Sequence, residues 1–533
     1  MDFNVLAQTY AANYGPYHWK LQAVKFNLMD LKPWLAKVEA TRNDIEFMEV
    51  LLDYVADLDD AHASISFPAT FQATLRFGVD LYEGKALIDR INRVTLPVAR
   101  FGAQIGDELI SIDGKPVMTL IAEMRKYSMA ANPRSTNRLT AGLLTFRPQQ
   151  FIPSAGLLGD TAEVEIKRAN GDIEKFTLPW VKTGTPMADL GLVPVASGGN
   201  KAGPKALAME DDSIPAYMQP LLPLLNVRLP QRDQVVLNYG SPVPIFGLPA
   251  GFRLRLAGGA SEFFVSGTYV SEGKTIGFIR IPSFEPPSSG QMTQIFEREI
   301  AFFQDNTDGL VIDDMRNPGG RIDFCEALLQ RVIPSPFRTL GFEIRATTSW
   351  AQRFAQSVAI ARQIGAEQWI INLLEANYKD VLQANREGGR TGPVSLNSTG
   401  SLILQPAAIV YRKPLIVLVD ETSSSGGDFF PAVIQDAGRG KIVGWRTMGA
   451  GGNVVPYDAT LFSQASAAVT QSLMVRREPI VTAEYPTAPY VENIGVRPDV
   501  EIDYMTRDNL MNRGAAFVAA FTKVIVERIA AGN

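Results

Sequence analysis

The serine triplet from Ser423 to Ser425 has the residue type and the setting of a nucleophile turn. Leu415 to Val419 are five consecutive apolar residues, mostly β-branched, which is typical of a buried parallel strand. Gly426 follows the serines, and apolar residues then return at helical spacing from Phe429 onward. A strand-to-helix turn lifts a hydroxyl above a sheet and directs helix amides towards it. The alternative is a serine-rich loop that only caps a helix, since serine is a favoured N-cap.

A serine nucleophile needs a base, and the chain has two histidines, His18 and His62. His62 follows an apolar pattern of helical spacing, and residues 63–67 then alternate like a strand, which predicts a helix-to-strand junction at His62. His18 lies in an aromatic stretch, and we interpret it as structural. A lone histidine is more often a hydrogen-bonded structural residue, so these residues alone leave the role of His62 open.

Gly319 and Gly320 are candidates for binding the oxyanion of an acyl-transfer reaction. They follow the apolar stretch 309–313, which predicts a buried strand, and they precede a predicted helix that begins at Ile322. Without a Cβ, a glycine lets the backbone approach a substrate closely and present its N–H groups. A plain tight turn is the alternative interpretation of the pair.

Four motifs around the serines resemble the catalytic core of the carboxyl-terminal-processing (tail-specific) serine peptidase family. They are S-x-S-x-x-E/D at Ser423 to Asp428, Q-D-x-G-R at Gln435 to Arg439, V-G at Val443-Gly444, and T-x-G-x-G at Thr447 to Gly451. Matching by position implies Ser425 as the nucleophile. It also implies the amide of Gly426 as one oxyanion donor, with Gly319 or Gly320 as the other.

The resemblance also implies which residues activate the nucleophile. Many family members place a lysine base within T-x-G-K-G, but Ala450 stands at that position here. The chain is therefore most similar to the chlamydial branch of the family, which uses Ser, His and Glu. Members with a histidine place it in a D-x-H turn, which implies His62 as the general base. Glu492, in an E-N-x-G-V context, matches the triad acid, and Glu484 is a rival close to it in sequence.

The family resemblance predicts an α/β fold, with a crotonase-like ββα protease core, an N-terminal helical segment and an inserted PDZ domain. Residues 1–69 form the helical segment that ends in the His62 turn, and residues 70–182 resemble a PDZ domain, with the pattern G-x-x-x-G-D-x-I-x-x-I-N-G matched at Phe101 to Lys115. Residues 183–265 are interpreted as a linker or as an inhibitory segment that covers the active site. Residues 266–533 are predicted to form the protease core, with a helical insertion over 350–390 and a final helix from Leu510 to Ile529.

Composition narrows the classes of partner. A net charge of −5 gives no reason to expect nucleic-acid binding, and no apolar run reaches the ~18 residues of a membrane span. The single cysteine, Cys325, excludes an internal disulfide. A serine triad requires no metal or cofactor, so none is predicted. The expected partners are protein or peptide substrates, and a homodimer is one option.

The sequence therefore predicts a serine endopeptidase that cleaves peptide bonds through an acyl-enzyme. Its PDZ domain either binds an extended peptide by β-augmentation or only packs against the protease. The alternative is a catalytically inactive PDZ/protease-like scaffold that binds peptides or lipids. The N-terminus lacks the features of a signal peptide. Because family members are mostly exported, we expect a periplasmic or secreted protein whose signal peptide lies outside this sequence, with the cytoplasm as the alternative.

Overall fold

The structure is a computed structural model, which describes residues 1–187, 215–221, 227–228, 239–259, 261–396 and 400–532. The helices are α1 Asp2–Asn13, α2 Tyr17–Ala23, α3 Lys32–Glu39, α4 Asp44–Ala56, α5 Val117–Met124, α6 Pro133–Leu143, α7 Ser289–Asn306, α8 Ile322–Leu329, α9 Thr348–Gln363, α10 Gln368–Arg386, α11 Gly426–Asp436, α12 Arg507–Met511 and α13 Ala515–Ala530. Within the described ranges, no helix has both the length and the apolar character needed to cross a membrane.

The strands of the amino-terminal part are β1 Ser64–Ser66, β2 Gln72–Thr74, β3 Phe77–Tyr82, β4 Lys85–Ile91, β5 Glu108–Ile112, β6 Lys115–Pro116, β7 Phe146–Pro148, β8 Thr161–Lys167, β9 Ile173–Pro179, β10 Val181–Thr183 and β11 Val227–Arg228. The strands of the remaining chain are β12 Arg253–Ala257, β13 Val265–Ser271, β14 Lys274–Arg280, β15 Gly309–Asp313, β16 Gly319–Gly320, β17 Phe337–Arg338, β18 Gly341–Ile344, β19 Ile403–Leu404, β20 Leu415–Val419, β21 Lys441–Gly444, β22 Val454–Asp458, β23 Ser466–Thr470, β24 Ser472–Ile480, β25 Ala488–Tyr490 and β26 Val500–Glu501.

The amino-terminal helices α1 to α4 precede the turn that carries His62. Helix α4 begins after Asn43, whose side chain accepts a hydrogen bond from the Glu46 amide and so caps the helix. After the turn, β1 pairs antiparallel with β23 of the carboxyl-terminal part. This pairing, across about 400 residues of sequence, brings His62 to the protease core.

The PDZ region contains a sheet in the order β3-β4-β5-β8-β9, with β6 paired to β5. Strands β8 and β9 form a hairpin that turns at Asn170-Gly171, and Asp113-Gly114 joins β5 to β6. Strand β3 lies at the edge of this sheet, but it is largely buried, and the amide of Glu83 just after it donates to the Met505 carbonyl at 2.9 Å. The edge strand is therefore covered by the rest of the molecule.

The protease core is built on a mixed sheet in the order β12-β13-β14-β15-β20-β21-β26. The pairs β14–β15, β15–β20, β20–β21 and β21–β26 are parallel, whereas β12–β13 and β13–β14 are antiparallel. Since β15 and β20 are parallel neighbours, the loops after Asp313 and after Val419 meet at the same sheet edge. These are the loops that carry the glycine pair and the serines.

Two predicted helices have different boundaries in the structure. The helical insertion over 350–390 is a pair of helices, α9 and α10. The predicted single helix from Leu510 to Ile529 is wrong, because the chain forms α12 and α13 with a break between them. Gly514 adopts a left-handed φ of 74° there, and the Asn509 side chain accepts a hydrogen bond from the Phe517 amide at the start of α13.

Much of the predicted linker, 183–265, lies outside the described residues. The glycine-rich stretch 197–200 belongs to that part, as do residues 222 and 223 of the proline-containing stretch 220–223. Strand β11 is described, and it pairs antiparallel with the glycine pair of β16. The segment 183–265 therefore contacts the glycine pair that the sequence predicts to bind the oxyanion.

Candidate active site

Ser425 occupies the strained turn between β20 and α11. Its φ of 57° and ψ of −109° lie in a region that non-glycine residues rarely adopt. A capping box stabilises this conformation, because the Ser425 amide donates to Asp428 Oδ2 at 2.8 Å and the Ser425 side chain accepts from the Asp428 amide. The turn therefore both caps α11 and presents a hydroxyl. A capping role and a nucleophile role for this serine are thus compatible.

The structure brings His62 to Ser425. The His62 Nε2 and Ser425 Oγ atoms are 3.0 Å apart, and both residues are fully buried. The His62 amide donates to Asp60 Oδ1 at 2.8 Å, which fixes the turn that carries the imidazole. His18, by contrast, is exposed, and its ring lies against Tyr17 with the ring centroids 5.0 Å apart. A hydroxyl and an imidazole at this distance are arranged for proton transfer.

Glu492, and not Glu484, lies beside His62. The imidazole and the carboxylates of Asp60 and Glu492 place their ligand-type atoms within 4.8 Å of one another. Glu492 Oε2 accepts a hydrogen bond from the Gly451 amide at 2.8 Å, which holds the carboxylate in place. The Glu484 side chain is 53% exposed and pairs with Arg497 at 2.7 Å on the surface.

Asp60 is a second carboxylate at the imidazole, and the sequence analysis assigned it no role. Its Oδ2 accepts hydrogen bonds from the Tyr14 hydroxyl at 2.7 Å and from the Thr470 hydroxyl at 2.8 Å. Burial alone would raise the Asp60 pKa, but the nearby Lys20 and His62 outweigh burial and lower it. The D-x-H motif itself was the signal that could have identified this residue.

Lys20 is a buried cation that sequence reasoning also missed. Its ammonium pairs with Glu492 and donates to the Asp59 carbonyl at 2.8 Å and to Asn493 Oδ1 at 2.7 Å. Burial and the neighbouring Asp60 raise the Glu492 pKa, whereas Lys20 opposes that rise. The chain thus lacks the family lysine at position 450 but places a different lysine against the carboxylate beside His62. Only its position directly after the aromatic stretch Tyr17 to Trp19 hinted at burial.

The glycine pair of β16 contacts the nucleophile turn directly. Gly319 has a φ of 90°, and a Cβ there would lie 2.6 Å from both the Gly426 amide nitrogen and the Ser425 Cβ. The Gly319 amide donates to Asn317 Oδ1 at 2.9 Å in this structure. Position 319 therefore requires glycine, because the nucleophile turn approaches its backbone so closely. The Gly426 amide lies at the start of α11, where helix N–H groups bind anions.

Asp428 joins the nucleophile turn to the T-x-G-x-G loop. Besides the Ser425 amide, it accepts hydrogen bonds from the Thr447 hydroxyl, from the Gly449 amide at 2.9 Å and from the Ala450 amide at 3.0 Å. Burial raises the Asp428 pKa to about 6, although these hydrogen bonds oppose the rise. The backbone amide of Ala450 thus helps to fix the nucleophile turn through Asp428, and the Ala450 side chain is buried.

The comparison with protein families matches this geometry. The PDZ domain model matches residues 71–186. The model described as Peptidase family S41 matches residues 275–502, the stretch that contains Ser425, the glycine pair and Glu492. This chain carries a domain of peptidase family S41. The S41 domain makes it a serine-type peptidase, and the predicted resemblance is confirmed.

Similar proteins and structures cover nearly the whole chain. A Chlamydia muridarum protein is 23% identical over 588 residues, covering 99% of this chain and 92% of the relative. A Chlamydia trachomatis protein is 25% identical over 557 residues, covering 95% and 89%. The structure of mature CPAF complexed with lactacystin has a TM-score of 0.77 at 22% identity, covering 99% of this chain and 98% of that one. The S41 peptidase therefore shares the fold of mature CPAF, and the predicted fold class is confirmed.

Proposed function

We propose that this S41 peptidase is a serine endopeptidase with Ser425 as nucleophile, His62 as general base and Glu492 as the acid. The observation that carries the proposal is the 3.0 Å contact between His62 Nε2 and Ser425 Oγ, on the strained turn of an S41 domain. An inactive scaffold would have no need for a buried imidazole aligned with a strained serine. Its substrates would be proteins or peptides.

The geometry supports a two-step acyl transfer. His62 Nε2 accepts the Ser425 proton while Oγ forms a bond to the peptide carbonyl carbon, and the carbonyl π electrons move onto oxygen. The Gly426 amide and an amide of the glycine pair would donate to that oxyanion. The imidazolium then donates its proton to the departing amine, which leaves Ser425 acylated. Water, deprotonated by His62, hydrolyses the ester and restores the serine.

The carboxylates stabilise the charge that forms on His62 during each step. Glu492 lies within 4.8 Å of the imidazole and is held by the Gly451 amide and by Lys20. A fixed carboxylate at the imidazole favours the protonated form and sets the orientation of the ring. Asp60 contributes a second negative charge to the same place. No step in this sequence requires a metal or a cofactor.

Labelling with a fluorophosphonate tests the proposal directly, because the reagent phosphonylates an activated serine. In the chain cleaved within residues 183–265, we expect one labelled peptide, modified at Ser425, and hydrolysis of an unfolded test protein. Ser425→Ala should abolish both, with a loss of ~10³-fold or more. Ser424→Ala is the matched control, since the neighbouring hydroxyl contacts the Asn317 carbonyl at 3.3 Å and not His62. Labelling at Ser424, or an active Ser425→Ala, would refute the assignment.

Lactacystin is a second probe. A structure of mature CPAF complexed with lactacystin is known, and the present chain shares that fold. If the site is an active serine peptidase, prior treatment with lactacystin should block fluorophosphonate labelling of Ser425. Labelling that is unchanged at saturating lactacystin would indicate that the pocket of this chain differs from that of CPAF.

We also propose that the segment 183–265 inhibits the enzyme until it is cleaved. The antiparallel pairing of β11 with Gly319–Gly320 supports this, because a substrate strand would use the same backbone next to the nucleophile. Ser425 and His62 are both fully buried, so the described conformation offers a substrate no direct access to them. Coverage of the β3 edge does not favour β-augmentation at that strand of the PDZ domain.

A further inference from the structure

We infer that the PDZ domain supplies positioning residues for the nucleophile: Arg138 of α6, assisted by Arg134, holds the loop that leads to Ser425. The inference rests on the proposed peptidase function and deepens it. Helix α6 lies within the residues that match a PDZ domain, whereas the loop 420–425 belongs to the S41 domain. The two arginines therefore act across a domain boundary.

Arg138 is buried between a PDZ strand and the catalytic loop. It makes a two-pronged contact with Asp80 of β3, with Nε to Oδ1 at 3.0 Å and Nη2 to Oδ2 at 2.6 Å. Its remaining nitrogen, Nη1, lies 3.2 Å from Glu421 Oε1 and 3.7 Å from Asp420 Oδ2. Only 1% of the side chain is exposed, so water does not screen these charges effectively. One guanidinium thus holds carboxylates of both domains.

The start of α6 adds contacts to the same loops. Arg134 Nε donates to Glu421 Oε1 at 2.6 Å, and its Nη2 donates to Asp503 at 2.6 Å. The Ser135 hydroxyl donates to the Glu421 carbonyl. Asn132 Nδ2 donates to the Met448 carbonyl at 2.7 Å, on the T-x-G-x-G loop. Helix α6 therefore contacts both loops that Asp428 joins at the nucleophile turn.

Asp420 transmits this contact to the serine turn. Its Oδ1 accepts hydrogen bonds from the Ser423 amide at 2.9 Å, from the Thr422 hydroxyl at 2.8 Å and from the Arg316 amide at 3.0 Å. The Arg316 contact also ties in the loop that leads to the glycine pair. Burial would raise the Asp420 pKa, but Arg138 and Arg316 outweigh burial and lower it, so the carboxylate stays ionised.

Loss of the Arg138 charge would leave Asp80, Asp420 and Glu421 close together with less compensation. Like charges that are buried repel each other strongly, because the local dielectric is low. The loop 420–425 can relieve that repulsion only by moving, and movement would displace Ser425 from His62. A shift of ~1 Å at a reacting group can cost ~10²-fold in rate. The effect should therefore appear in acylation and kcat more than in KM.

The test compares two variants of the full chain. Arg138→Met keeps most of the side-chain volume but removes the positive charge, whereas Arg138→Lys keeps the charge. The measurements are the rate of fluorophosphonate labelling, kcat and KM for a peptide substrate, and the melting temperature. The matched control is Arg168→Met, since Arg168 pairs with Asp107 at 3.1 Å entirely within the PDZ domain. We expect Arg138→Met to lose ~10-fold or more in labelling and kcat with a similar KM. Arg138→Lys should recover part of that loss, and Arg168→Met should behave as wild type.

Three results would overturn the inference. They are a folded Arg138→Met with wild-type labelling, an equal loss in Arg168→Met, or a loss confined to KM. If Arg138→Met does not fold, Glu421→Gln decides, because it removes a charge that Arg138 holds and keeps the side-chain shape. A lower kcat at unchanged KM supports the inference, and a wild-type kcat refutes it. Absence of labelling and hydrolysis in the wild-type chain, both intact and after cleavage within the segment 183–265, would refute the peptidase function itself, and this inference with it.

Discussion

His62 lies within 4.8 Å of two buried carboxylates, those of Asp60 and Glu492. Burial and the proximity of the other carboxylate raise the Glu492 pKa, while Lys20 and His62 lower that of Asp60. The two acids are thus pushed apart in pKa, as happens when neighbouring carboxylates share a low-dielectric site. The positive charge of Lys20 offsets the repulsion between the two carboxylates beside the imidazole.

Glu492→Gln should lower kcat by ~10²–10⁴-fold, because the amide keeps the shape but not the charge that stabilises imidazolium. The measurement is kcat for a peptide substrate, with the melting temperature as a check on folding. Glu484→Gln is the control, since that carboxylate pairs with Arg497 on the surface. If Glu484→Gln is the impaired variant and Glu492→Gln is not, the acid has been assigned to the wrong residue.

Lys20→Met should move the acidic limb of the pH profile of kcat/KM to higher pH. Lys20 lowers the Glu492 pKa, so its loss lets Glu492 keep a proton to higher pH, where a neutral carboxyl cannot stabilise imidazolium. Lys441→Met is the matched control, because Lys441 is half exposed and pairs with Asp499 at 3.2 Å. A Lys20→Met enzyme that folds and keeps the wild-type limb would show that this ammonium does not tune the acid.

At the scale of elements, the site depends on the contact between β16 and the start of α11. The two loops belong to parallel neighbouring strands and touch through Gly319, where the positive φ and the close approach both require glycine. The proposed oxyanion donors, the Gly426 amide and an amide of the glycine pair, can bind one carbonyl oxygen together only while that contact holds.

Gly319→Ala should therefore reduce the rate of fluorophosphonate labelling by ~10²-fold or more, because the new Cβ must push apart two backbone segments. Gly438→Ala is the control, since Gly438 also has a positive φ, 61°, but a Cβ there would meet nothing within 4 Å. That variant should lose stability, measured by melting, and keep its labelling rate. Wild-type labelling of Gly319→Ala would mean that the glycine pair is not part of the oxyanion site.

At the scale of the whole molecule, the described conformation has β11 against the glycine pair and the serine buried. Insertion of a recognition sequence for a viral cysteine protease between residues 200 and 210 allows the segment to be cut at will. Cleavage should raise kcat/KM at least ~10-fold, which corresponds to a covered state favoured by ~1.4 kcal/mol or more. The same cut in Ser425→Ala controls for the added protease. Equal activity before and after cleavage would refute inhibition by this segment.

Local signals were sufficient for the elements that carry the site. The apolar run of β20 and the glycine after the serines predicted a strand, a turn and a helix, and the structure has them at Leu415–Val419 and Gly426–Asp436. Hydrophobic periodicity and cap residues act over a few residues, so they can be read from sequence. The break at Gly514 was missed, although Asn512, Arg513 and Gly514 interrupt the apolar pattern there.

The sequence by itself determined the strand-turn-helix unit around Ser425, the motifs of the S41 domain and the PDZ hairpins, because each depends on neighbours along the chain. Only the tertiary structure decided that Asp60 and Lys20 join the imidazole site, that Glu484 points to solvent, and that Arg138 of the PDZ domain contacts Glu421. These contacts join residues far apart in the chain. Their energies depend on burial and on the distance between charges, which no local pattern of residue types records.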